Sequence, residues 1–152
     1  HFRSVDGRFF DVGNFRYVVS NGKSSTTVTW GFLALNLERR LPHMLLDSRQ
    51  NNSWASPGLA GLFDRGQVLS LEGDFDRWFT LYCPRQYETD ALYVFTPDLM
   101  ALCIDNVAPF DVEIIDDWMF VYSPRAFRMD DPALLDRLFR IIVVVGSFTS
   151  PA

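Results

Sequence analysis

Histidine is almost missing from this chain: two residues in 152, His1 at the start and His43 between Pro42 and Met44. General acid–base catalysis draws on histidine more often than on any other side chain. A Ser–His–Asp arrangement would rest on His43 alone, and no nucleophile elbow stands near it. The GxSxG, HExxH, Walker and dinucleotide-binding patterns are absent as well, so nothing calls for a cofactor. Cysteine is equally scarce. Cys83 and Cys103 are the only two, and two thiols without a CxxC spacing do not make a zinc site. Their apolar neighbours suit reduced, buried cysteines that act as small hydrophobes. Lys23 is the single lysine against 13 arginines, a bias that GC-rich coding would produce without a functional cause. A net charge of −5 lacks the basic footprint that phosphate backbones demand, which argues against nucleic acid as a partner. No run approaches the roughly 20 apolar residues of a membrane-spanning helix, and no signal peptide is visible.

What the chain does have is apolar bulk. Hydrophobic residues make up 48% and aromatics 15%, with 14 phenylalanines. A chain of this length forms one domain and buries roughly 68–70% of its unfolded surface, enough for a core without disulfides. Phenylalanine has no polar handle, so the plain reading is large side chains filling the space between sheet and helices. Charge is uneven. Residues 1–72 carry 8 basic and 6 acidic side chains, residues 73–152 carry 6 and 13, for nets of +2 and −7.

The N-terminal third alternates with the period of a half-buried strand. Arg8–Val12 is a short segment followed by the turn signal Gly13-Asn14. Phe15, Tyr17 and Val19 then alternate with Arg16, Val18 and Ser20. Asn21-Gly22 is a strong hairpin signal because both residues tolerate positive φ. Ser25–Leu37 returns, with Val28, Trp30, Phe32 and Ala34 on one face. Arg39-Arg40-Leu41-Pro42 breaks the pattern, and His43–Asp47 starts another strand. Further strands are expected at Val68–Leu71 and Trp78–Cys83, and a final pair at Val112–Ile115 and Trp118–Tyr122 with Asp116-Asp117 at its tip.

Helices are signalled by their starts. Tyr87–Phe95 suits a short one. Thr96-Pro97-Asp98 supplies a cap, a proline at the first helical position and an acid at the positive end of the dipole. Leu99, Leu102, Cys103 and Val107 then share a face. Asp130 or Asp131 with Pro132 opens a C-terminal amphipathic helix through Leu138, Ile141, Ile142 and Val145, which Gly146 should end. The expected fold is a single α+β domain. An antiparallel sheet of roughly seven to eight strands carries a central helix near 97–106 and a C-terminal helix near 132–145 packed on it. Residues 48–66 form a long loop, and 147–152 a frayed tail.

Carboxylates are the best remaining chemical resource. Asp105, Asp111, Glu113, Asp116 and Asp117 fall within one short span. Oxygen ligands suit hard cations, which makes Asp116 and Asp117 candidates for a weak divalent site, although the spacing matches no calcium loop. A carboxylate pair also suits glycoside hydrolysis. Against both stands the preference of turns for aspartate on backbone grounds alone. Trp54, in a loop long enough to suggest function, is the candidate for binding a small ligand or a sugar.

Taken together, the segments LSLEGD, FDRWFTLYCP, YETDALYVFTPDLMALCIDN and DVEIIDDWMFVYS, with Leu41-Pro42 upstream, resemble a family of uncharacterised bacterial proteins, chiefly actinobacterial. The resemblance covers most of the chain, but its motifs are structural and bring no catalytic residues. In many such proteins the domain follows one or two hydrophobic segments. The resemblance therefore implies a cytoplasmic domain, held at the inner face of the cell membrane by a tether upstream of His1 rather than inserting itself. The lack of an initiator methionine agrees with a fragment of a longer chain. The resulting expectation is a non-enzymatic interaction domain with a protein partner. The alternatives are a small-ligand or carbohydrate binder, and a carboxylate-based hydrolase or divalent-cation site.

Overall fold

The computed structural model describes residues 2–3, 7–50, 68–71 and 73–149. In chain order these form β1 (Phe2–Arg3), β2 (Phe9–Ser20), β3 (Ser25–Ser48), β4 (Val68–Leu69), α1 (Phe75–Trp78), β5 (Phe79–Tyr82), a 3-10 turn (Arg85–Tyr87), α2 (Glu88–Val94), α3 (Pro97–Asn106), β6 (Asp111–Ser123) and α4 (Pro132–Thr149). The class is α+β with an antiparallel sheet, as the alternation predicts.

The strand count differs, and for one recurring reason. The described residues make a six-stranded sheet, because three expected strand pairs are each a single long strand. At Gly13-Asn14 the chain does not reverse. The Asn14 side-chain amide donates to the Phe127 carbonyl at 3.0 Å and its oxygen accepts from the Phe127 amide at 2.6 Å. A side chain on Gly13 would meet the Phe32 ring at 3.2 Å. Both turn-type residues therefore serve packing inside β2. Between Leu37 and His43, β3 bends instead of ending. Its register with β6 shifts twice, between Asn36 and Leu41 and between Leu41 and Met44. The polar groups freed by the bend are recaptured: buried Arg8 donates to the Leu37 carbonyl at 2.8 Å, and Asn36 Oδ1 accepts from the Glu38 amide at 3.0 Å. The third case corrects the expected hairpin at Asp116-Asp117. These residues lie in the middle of β6, opposite the same bend, with Asp116 at φ +54°. A bulge, like a turn, favours aspartate, which tolerates the left-handed region.

β3 is the spine. One edge pairs with β2 through Ser25–Leu35 and with β5 through Leu45–Ser48, and the other pairs with β6 from Gly31 to Leu46. The Asn21-Gly22 turn forms as its residues dictate: Asn21 Oδ1 accepts from the amides of Lys23 and Ser24, and Gly22 sits at φ +86°. Thr96 caps α3 by accepting from the Leu99 amide at 3.3 Å, with Pro97 at the first helical position. α4 does not stop at Gly146 but runs to Thr149.

The core lies between the helices and one face of the sheet. Phe10, Leu33, Leu35, Leu37, Met119 and Val121 from the sheet join Leu99 and Cys103 of α3 and Leu138, Ile141, Ile142 and Val145 of α4. Burying one such side chain is worth about 1.5–3 kcal/mol. Phe75, Phe79, Phe95, Phe110 and Phe127 belong to this core too, so with Phe10 six of the 14 phenylalanines fill space there. Both cysteines are free and buried, and burial pushes the Cys103 thiol up to about 12.

Candidate functional site

Two features stand outside that core. The first is a cleft where the bend of β3 meets the bulge of β6. Arg39, Arg40, Leu41, Pro42 and His43 form one wall, Tyr87, Asp90, Tyr93 and Val94 of the 3-10 turn and α2 form another, and Asp116 closes the side. The cavity holds about 560 Å³. Two non-glycine residues take positive φ among the described residues, Glu38 at +56° and Asp116 at +54°. Both flank this cleft, one on each paired strand. Such conformations cost of order 1–3 kcal/mol each and persist only where the surroundings hold them.

Beneath the cleft, His43 Nε2 lies 2.8 Å from Glu113 Oε2. The Glu113 side chain is 4% exposed and that of His43 37%, so a buried carboxylate anchors a half-exposed imidazole. Burial, and then the Glu113 charge, push the Tyr122 phenol up to about 12. A second buried polar group joins Asp47 and Asp111. Asp111 accepts from the Ser48 amide at 2.8 Å. Burial lifts the Asp47 carboxyl above its ordinary value, while a hydrogen bond with Asp111 and the Arg49 charge pull it back.

The span of five carboxylates is thus dispersed. Glu113 goes to His43, Asp111 to Asp47 and Ser48, and Asp105 stays exposed on α3. The two candidate cation ligands separate: Asp116 faces the cleft, and Asp117 accepts from the Asn36 amide at 3.4 Å. Among the described residues no three His, Cys, Asp or Glu side chains come together as a metal site. Trp54 lies outside the described residues. Sequence reasoning missed the His43–Glu113 pair, whose members are 70 positions apart. The available signal was an acid, Glu113, set between Val112 and Ile114 in an apolar strand.

The second feature is the β2–β3 hairpin. Along one face of the sheet, opposite the core, seven aromatic rings are in contact. Phe15 neighbours Tyr17, Trp30 and Phe32 at centroid distances of 6.1–6.5 Å. Trp30 meets Tyr122 edge-on at 6.5 Å, and Tyr122, Phe120 and Trp118 continue the row along β6. The outer part of the hairpin projects as an arm. β1 reaches β2 only at Phe9 and Phe10, and β6 reaches β3 only from Gly31 onward. Phe15–Ser20 and Ser25–Trp30 therefore pair only with each other among the described residues. Tyr17, Val18 and Val19 on this arm are 42%, 63% and 51% exposed, and Phe15 at its base 41%. Residues 12–37 contain Arg16 and Lys23 and no acidic residue.

Comparison with family models, with curated proteins and with solved structures yields no match for this chain. No helix among the described residues is long and apolar enough to cross a membrane.

Proposed function

We propose that this domain is a non-enzymatic interaction module that works through contact with a protein partner, and that the β2–β3 arm is the contacting element. The observation that carries this reading is the exposure of Phe15, Tyr17, Val18 and Val19 on a two-stranded arm. A lone hairpin is marginal in water, and its open edges are templates for an added strand. Side chains supply apolar contact while free backbone groups supply register. The charge of the arm, Arg16 and Lys23 without an acid, favours a partner surface of opposite sign and disfavours wrong ones.

Photo-cross-linking in cells producing the full-length protein tests this. A photoreactive residue at Val18 is expected to give a discrete protein adduct that weakens when Phe15 and Tyr17 are both changed to serine. The same residue at exposed Arg137 on α4 is the control. Equal adducts from both positions, or none from Val18, would overturn the proposal.

A further inference from the structure

The cleft at the β3 bend has a lining that the arm does not explain. It carries two guanidinium groups, Arg39 and Arg40, and two carboxylates, Asp90 and Asp116. None of these four side chains makes an ion pair or hydrogen bond among the described residues, whereas Arg77, Arg128 and Arg140, exposed elsewhere on the chain, each pair with an aspartate. Two charges of each sign line one cavity, so a simple anion or a simple cation gains from one pair and is opposed by the other. A molecule with both charges can engage all four groups, which are exposed and so within its reach.

The remaining lining agrees with that occupant. Tyr93, 79% exposed, and Tyr87, 41% exposed, both line the cleft, and aromatic rings attract an ammonium group to their faces. The His43 imidazole is held in one orientation by buried Glu113 and so presents a fixed polar edge. The cavity of about 560 Å³ lies within the range of about 300–1,000 Å³ typical of small-molecule sites. That leaves room for a side chain beyond the charged ends. The bend that shapes the wall is held at positive φ on both strands, the kind of backbone cost that concentrates where a protein grips a ligand.

We infer that this cleft binds a small zwitterion of the amino-acid class, its carboxylate at Arg39 and Arg40 and its ammonium between Asp90, Asp116 and the tyrosine rings. The test uses free L-amino acids, added singly and followed by the backbone amide signals of Tyr93 and Asp116. The best binder is then compared with its analogues lacking the amino or the carboxyl group. The expected result is saturable shifts with at least one amino acid, and binding about tenfold or more weaker for each one-ended analogue, the loss expected from one charge-assisted contact. An Arg39→Ala, Arg40→Ala double variant should weaken binding by a similar factor. Both residues are exposed, so amide signals far from the cleft should stay in place and show that the variant is folded. No response to any amino acid, one-ended analogues that bind as well, or an unchanged double variant would each overturn the inference.

Discussion

The two ends of the β2–β3 hairpin are built from the same alternating sequence and live in different surroundings. At the inner end, Leu33 and Leu35 face the core at 0% exposure, backed by α4 and flanked by β6. At the outer end, Val18 and Val19 occupy the same kind of strand position, yet more than half of each remains exposed. Nothing in their residue types separates them. What separates them is where β6 and α4 stop, which shows that a strand's stability is set by its neighbours more than by its own propensity.

The difference can be broken from either side. Leu33→Ala should cost about 2–5 kcal/mol, since it empties a site that cannot collapse easily, and urea unfolding would measure it. Asp47→Asn should act in the opposite direction, by less than about 1 kcal/mol because the group is partly solvated. The folded chain holds the Asp47 proton more tightly than the unfolded chain does. Its effect on stability is therefore most favourable below the ordinary carboxylate value and is lost as pH rises through the raised one. Asparagine cannot ionise and still offers an oxygen to Asp111, so it should flatten that fall in a pH series of denaturation curves. Val19→Ala on the arm should change stability least, within about 0.5 kcal/mol. A loss there as large as that of Leu33→Ala would mean the arm is already covered.

How much of this the sequence disclosed follows from the range of each interaction. Asn21-Gly22 and Thr96-Pro97 were legible because their hydrogen bonds close within a few residues. Gly13-Asn14, Pro42 after Arg39–Leu41, and Asp116-Asp117 are turn-type residues too, and their local sequence signals strand ends. Inside a sheet, those types also serve bulges and close approaches of chain to chain. Which of the two applies depends on Phe127, Phe32 and Arg8, residues far away in the chain. The alternation of Trp30 and Phe32 with Gly31 and Leu33 announced two faces, and only the position of α4 decides which is covered. The His43–Glu113 pair and the cleft above it had no local signature beyond one acid in an apolar strand.

The proposed contact with a partner requires the arm to be open in the isolated chain. Amide hydrogen exchange measures this residue by residue. Arg16–Ser20 and Ser25–Thr29 are predicted to exchange by local opening, orders of magnitude faster than Leu33, Leu35, Met119 and Val121, which should exchange only with global unfolding. Protection of the arm equal to that of the core would contradict the account, because an arm already so well held has no surface left to offer.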